Sequence, residues 1–220
     1  PQYTEANPYD MAGCSIDTAF KNLIVSGANS KKIAILDNFC WCSSDETDRL
    51  YQLKEAARGC YDYAVAYQTP FISGKDSMYN DFKGFNEDSK SIKISIPPTL
   101  LISSIGVVDK ISHLTKITPD KDDKIFLLGD TNNELKHSVY DKIIGVRKTN
   151  LPNVDNKTAL KTYKNFEKAN KLKIINSAIG VDLGGVGIAI SKMAIASKKG
   201  LFIDLKSKNK NSVDQFLFSE

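Results

Sequence analysis

Ile33-Ala34-Ile35-Leu36, closed by Asp37, is the stretch on which the fold turns. Four successive apolar side chains between polar neighbours are too short for a helix and fit a buried strand. A helical pattern lies on either side of it. Upstream, Asn7 suits a helix cap and Pro8 the first helical position. Ile16, Phe20, Leu23 and Ile24 follow at helical spacing, and Gly27 suits the stop. Downstream, Ser43-Ser44-Asp45-Glu46 reads as a capping box. Leu50, Leu53, Ala57, Cys60 and Ala64 give the helix it opens an apolar side. Phe71-Ile72-Ser73 then reads as a second short strand running into Gly74. Alternating helices and strands predict an α/β (α+β) fold.

Farther along, Ile92, Ile94 and Ile96 alternate with polar residues and predict a half-exposed strand. Pro97-Pro98 stops it, and residues 100–108 read as a buried strand. Thr118-Pro119-Asp120-Lys121-Asp122-Asp123 is polar and turn-rich, the best linker in the chain. Beyond it, Ile125-Phe126-Leu127-Leu128-Gly129 reads as a strand and residues 158–171 as a polar helix. Gly184-Gly185 precedes an apolar helix reaching Met193, and Leu201-Phe202-Ile203-Asp204-Leu205 reads as a last strand. The expected organisation is two domains, residues 1–115 and 116–220, with no internal repeat.

Composition bounds the function. The chain has 220 residues, 41% hydrophobic and 25% charged, which is ordinary for a globular protein and excludes disordered, collagen-like and disulfide-scaffold classes. No apolar run approaches the roughly 18 residues of a membrane span, and a cytoplasmic location without a secretory leader is expected. A start at Pro1-Gln2-Tyr3 and the apolar end Phe216-Leu217-Phe218-Ser219-Glu220 suggest a piece of something longer. Thirty basic residues against 26 acidic leave a net charge of +4. The lysine excess in the second half, at Lys198, Lys199, Lys206, Lys208 and Lys210, fits either a solvated surface or a polyanion patch. No basic stripe interleaves with aromatics, so neither nucleic acid nor membrane is an expected partner. Cys14, Cys40, Cys42 and Cys60 lack zinc-site spacing and read as reduced thiols.

The chemistry centres on two strand ends. His113 and His137 stand in no nucleophile pattern, so a hydrolytic triad is not expected and no catalytic residue is assigned. Asp37-Asn38 follows one strand and Gly74-Lys75-Asp76-Ser77 another, at the positions where α/β folds place ligands. Glycine admits a phosphate to the backbone, Lys75 would neutralise it, and Ser77 can bond its oxygen. Asp37 and Asp76 could share a hard cation such as Mg²⁺. A P-loop is excluded, because Thr69 stands where its first glycine belongs and Asp76 where its Ser/Thr belongs. A plain strand-to-loop turn remains open. Gly184-Gly185 is a second anion candidate, with close helix packing as its alternative.

These residues resemble a known family. Ala19-Phe20-Lys21-Asn22-Leu23-Ile24-Val25-Ser26-Gly27-Ala28, Ile35-Leu36-Asp37-Asn38-Phe39-Cys40-Trp41, Ile72-Ser73-Gly74-Lys75-Asp76-Ser77-Met78 and Pro97-Pro98-Thr99-Leu100-Leu101-Ile102-Ser103 resemble phosphoribosylformylglycinamidine synthase, the large subunit of purine biosynthesis. Gly184-Gly185-Val186-Gly187-Ile188-Ala189 is similar to its glycine-rich C-domain helix. The resemblance implies an aminoimidazole ribonucleotide synthetase-like N-terminal domain followed by part of the C-terminal domain, both from the second half of such a subunit. It implies an ATP- and Mg-dependent ligase that aminates formylglycinamide ribonucleotide with ammonia from glutamine. Implied partners are the first half of the same synthetase, a glutaminase subunit or domain and the ribonucleotide substrate, with homodimers possible for the isolated piece. Carried over, Asp37, Gly74 and Lys75 imply nucleotide binding, Ser77 substrate contact and Asp76 metal binding. Lys75 stands where the short bacterial members have a metal-binding Asn, but the longer members carry Gly-Lys-Asp-Ser as here, which is why Asp76 is the metal candidate. Asp182-Leu183 departs from the Ser-Asp usual before the glycine pair. The alternative is a non-catalytic half that binds a structural nucleotide and completes a pseudo-dimer. A related synthetase, for aminoimidazole ribonucleotide or selenophosphate, fits the Asp-Asn-Phe-Cys-Trp run less well.

Overall fold

The computed structural model describes residues 6–145, 149–204 and 212–220. Pro1-Gln2-Tyr3, Leu205, Lys206, Lys208 and Lys210 lie outside the described residues. The first helix, α1 (Pro8–Val25), begins as its sequence demands: the Asn7 side chain accepts the Asp10 N–H at 3.0 Å. Its end is a Schellman turn, in which Gly27 N–H bonds Ile24 O and Ala28 N–H bonds Leu23 O, both at 3.0 Å. Gly27 has φ of +101°, and a Cβ there would lie 2.1 Å from the His113 carbonyl, so only glycine fits.

Strand β1 (Ile33–Cys40) is followed by helix α2 (Thr47–Tyr67) and strand β2 (Phe71–Ser77), with β1 and β2 parallel. Next come a separate antiparallel hairpin, β3 (Asp81–Phe85) and β4 (Ser91–Ser95), and strand β5 (Thr99–Gly106), antiparallel to β1. The sheet order is β2-β1-β5. One face is packed against the helices. Ile35, Phe39 and Leu100 from the strands meet Met11, Ile16 and Phe20 of α1 and Ala56, Cys60 and Tyr67 of α2. Lys93 of the hairpin pairs with Glu46 at the start of α2 and, within the hairpin, with Asp81.

Several expectations need correction. Asp37 is not at a strand end. β1 continues to Cys40 because every residue from Ile33 onward finds a β5 partner. Likewise Gly74-Lys75-Asp76-Ser77 is not a loop but the second half of β2, an edge strand whose solvent exposure lets it carry polar residues. No capping box opens α2. Its cap is Glu46, which makes no side-chain cap bond, while Ser43 Oγ accepts from Asp45 N–H and Ser43 N–H donates to Asp81. Residues 100–108 are not buried throughout: β5 alternates, with Leu100 buried and Leu101 and Ile105 almost 60% exposed on the uncovered sheet face. Residues 125–129 and 201–204 form no strand. Apolar runs become strands only against a partner, and none pairs with them among the described residues.

The second half of the chain is helical: α3 (Val139–Ile144), α4 (Asn156–Lys171), α5 (Gly185–Ser197) and α6 (Val213–Phe218). Asp155 caps α4, accepting from the Lys157 and Thr158 N–H groups. Tyr163 and Phe166 of α4 enter the same buried cluster as Phe20 and Ile35. Tyr63 Oη donates to the Val154 carbonyl at 2.6 Å, and Asn170 Nδ2 to the His113 carbonyl at 2.7 Å. Deepest among these ties is Asp17. Its Oδ1 accepts both the Tyr67 hydroxyl of α2 and the Tyr163 hydroxyl of α4, each at 2.6 Å, with Lys21 Nζ 3.7 Å from Oδ2. Among the described residues, no helix is long and apolar enough to cross a membrane.

Asp17→Ala strands two buried hydroxyls, so it should lower unfolding free energy by about 3 kcal/mol, whereas Tyr163→Phe, which leaves the Tyr67 bond intact, should cost about 1 kcal/mol. Urea titration followed by the fluorescence of Trp41, the only tryptophan and fully buried, measures both. Equal midpoints for Asp17→Ala and the unmodified chain would show the network to be energetically idle.

Candidate functional site

The register of β1 and β2 decides where the five expected site residues go. Asp37 pairs with Gly74, Asn38 with Lys75, Phe39 with Asp76 and Cys40 with Ser77. Side chains alternate along a strand, so the set divides between the two faces of the sheet. Asp37 lies between Ile35 and Phe39 on the helix-covered face, near enough to Cys60 of α2 to raise that buried thiol further, to about 12 in all. A Cβ at position 74 would stand 2.6 Å from Asp37 Oδ1. Gly74 thus makes room for the Asp37 carboxylate, which a larger residue there would displace. Asp76 follows two residues later on this face.

Asp37 and Asp76 repel each other. The Asp37 carboxyl is held above its ordinary value, first by burial and then by the Asp76 charge, against a smaller opposing backbone hydrogen bond. Two adjacent carboxylates are a donor set suited to a hard metal ion. Among the described residues, no group of three or more potential ligands gathers there or elsewhere.

Lys75 and Ser77 face the other way. Lys75 Nζ bonds Ser77 Oγ, and on β1 their neighbours are Asn38 and Cys40, whose Sγ donates to Asn38 Oδ1 at 3.6 Å. This polar set, ammonium, hydroxyl and carboxamide, suits an anionic oxygen. Asn38 belongs to it through strand pairing. The alternation of β1 could have singled it out, had the strand been read past Asp37. Just beyond β2, Asn80 Nδ2 donates to the Trp41 and Ser77 carbonyls at 3.1 and 2.9 Å and fixes the strand ends together.

The other candidates resolve differently. His113 lies in the 3-10 turn Ile111–His113 after β5, at the Ile33 end of the sheet and away from Ser77. His137 donates its backbone N–H to Asp141 at 2.8 Å. Gly184-Gly185 is a packing site. A Cβ at Gly185 would come within 2.6 Å of the Leu217 and Ser219 carbonyls behind α6. Its N–H groups are used internally: Gly184 N–H donates to Glu220 Oε1 at 2.9 Å and Gly185 N–H to the Asp182 carbonyl at 2.8 Å.

Residues 1–108 match the family model described as AIR synthase related protein, N-terminal domain. The phosphoribosylformylglycinamidine synthase subunit PurL of Methanocaldococcus jannaschii is 29% identical over 225 aligned residues, covering 100% of this chain and 30% of the relative. That of a Sulfurovum species is 30% identical, covering 98% of this chain and 28% of its own length. This chain therefore spans less than a third of these curated relatives. A structure of PurLQS from Thermotoga maritima superposes with a TM-score of 0.62 at 14% identity, over 99% of this chain and 33% of that one. T. maritima PurL complexed with ATP gives 0.61 at 13% identity, over 98% and 32%. Residues 1–108 thus belong to the AIR synthase related N-terminal domain family, and the chain as a whole is a homologue of the PurL synthetase subunits.

Proposed function

We propose that this chain is part of an ATP-dependent carbon–nitrogen ligase that converts formylglycinamide ribonucleotide, glutamine-derived ammonia and ATP to formylglycinamidine ribonucleotide in purine biosynthesis. The observation that carries the reading is similarity to PurL along the whole chain, at 29% and 30% identity. Residues 1–115 would be the synthetase-type N-terminal domain and 116–220 an incomplete C-terminal one, with α4 reaching back into the first core. The working assembly would include the other half of the synthetase and a glutaminase as the ammonia source.

Bound Mg–ATP would supply the phosphoryl group that makes the formamide oxygen a leaving group. The residues present fit its parts separately. Asp37 and Asp76 are a carboxylate pair for the cation, with Gly74 giving Asp37 its space. Lys75 would neutralise phosphate, and Ser77 beside it would contact nucleotide or ribonucleotide oxygen. Because the two pairs sit on opposite faces of β2, a nucleotide touching both must reach round the strand's exposed edge. Handling protons on ammonia needs a further acid or base, and His113 is at the far end of the sheet.

A second reading is a non-catalytic half that holds a structural nucleotide and completes a pseudo-dimer through its sheet. One observation favours it. The uncovered face of the sheet exposes Leu101 and Ile105, and a three-stranded sheet leaves β2 and β5 as free edges. In either reading this face is where the homologous half would pack, or a second copy in its absence.

The function is tested by supplying formylglycinamide ribonucleotide, ATP, Mg²⁺ and ammonium and measuring ADP release. The chain alone should give none, and adding the other half of the synthetase should restore substrate-dependent turnover. Turnover near 1 s⁻¹ by the chain alone, at the low end of the roughly 1–10³ s⁻¹ usual for enzymes, would overturn the assignment of the essential groups elsewhere. Copurified ADP without turnover in the complete assembly would select the structural reading.

Lys75→Ala should weaken ATP–Mg binding about tenfold or more, the loss of one charge-assisted bond. Calorimetric affinities that agree within twofold would make Lys75 a bystander.

The carboxylate pair has a pH signature. A carboxyl raised in the folded state favours folding while protonated, below its ordinary value, and that contribution is lost as pH rises through the raised one. Without added cation, Asp37→Asn should therefore unfold at higher urea than the unmodified chain at neutral pH. The gap should close as pH falls through the carboxylate range. A gap of constant size from pH 7 to the acid limit would show that Asp37 carries no such burden.

A further inference from the structure

Helix α4 buries Tyr163, Phe166 and Asn170 and turns a uniform face outward. Lys157, Lys161, Lys164, Lys168 and Lys171 are all exposed, spaced by four, three, four and three residues. At 3.6 residues per turn they occupy about a quarter of the helix circumference, and at 1.5 Å per residue they run for about 21 Å. Lys171 is paired with Glu167, whose other oxygen accepts from Ser30. Lys157 sits close enough to help lower the Asp155 carboxyl, a minor contribution beside the Asp155 hydrogen bonds to Thr158 and Lys157. The ammonium groups of Lys161, Lys164 and Lys168 make no hydrogen bond or ion pair among the described residues. The other exposed positions of the helix are Thr158 and Asn165.

We propose that this face of α4 binds the phosphate backbone of duplex nucleic acid without reading its sequence. Charge complementarity sets the sign of the partner, and the rest of the face sets its class. Protein interfaces are depleted in lysine and are anchored by buried apolar or aromatic side chains, yet the helix exposes no apolar residue between its caps. Backbone phosphates are contacted by Lys together with Thr and Asn, which is this face's whole inventory. Its aromatics point into the core, so no base can stack on them, and single strands lose their main source of affinity. The missing aromatic interleaving, which told against nucleic acid in the sequence, is what a reader of duplex backbone lacks by nature.

The test is fluorescence anisotropy of the full chain with a labelled 20-base-pair duplex of mixed sequence, between 50 and 200 mM NaCl. Four lysines outside the Glu167 pair predict a slope of log affinity against log salt near −3.6, roughly a 150-fold loss over that range. Lys161→Gln with Lys168→Gln should halve the slope to about −1.8 while leaving thermal unfolding unchanged. Lys54→Gln with Lys83→Gln, the same charge change elsewhere, should leave the slope intact. The proposal is overturned if both pairs of substitutions act alike, if the α4 pair has no effect, or if polyglutamate or phosphatidylserine vesicles bind more tightly than the duplex.

Discussion

The Asp17 carboxylate, held by the Tyr67 and Tyr163 hydroxyls, is the contact on which the packing of the three long helices depends. A carboxylate taken out of water is costly unless its oxygens find donors, and here the donors come from two other helices. α1 cannot turn its inner face to the core without α2 and α4 both in place. The constraint is directional in a way that the surrounding contacts of Phe20 and Phe166 are not. Hydrophobic burial brings these helices together, and the paired hydroxyls fix their rotation about their own axes.

Because three helices are gathered on one side, the sheet is covered, among the described residues, on that side only. The single covered face explains the alternating burial of β1 and β5, while β2, at the edge, is exposed from Ile72 to Asp76. It puts Asp37 under helical cover and Lys75 in the open, one residue's register apart. The candidate site is thus a property of strand pairing more than of any local motif. Gly74, the residue most suggestive of a phosphate loop, serves in this structure as the gap into which Asp37 fits.

The sequence disclosed local structure where local chemistry decides it. Asn7 and Pro8 start α1, Gly27 stops it, and α5 begins at Gly185 as its apolar run requires. It disclosed less where pairing decides. β1 and β2 looked shorter than they are because Asp37 and Lys75 are poor strand formers, and only their partners make them strands. Ile125 and Phe202 looked like strand residues for the opposite reason: their side chains suit a sheet that the described residues do not supply. The same limit explains the candidate site. Asp37, Gly74, Lys75, Asp76 and Ser77 were all visible as a group, but their division between faces follows from a register that spacing along the chain does not encode.

The long reach of α4 also has a consequence for how the molecule is made. Asp17 and Tyr163 are 146 residues apart in the chain. At roughly 5–20 residues per second of synthesis, about 7–30 s separate their appearance at the ribosome. For that interval the first two helices and the sheet exist without the side chains of α4 that complete their core. Over those seconds the nascent chain carries Phe20 and Tyr67 without their α4 partners, a window in which a holdase chaperone has an obvious foothold.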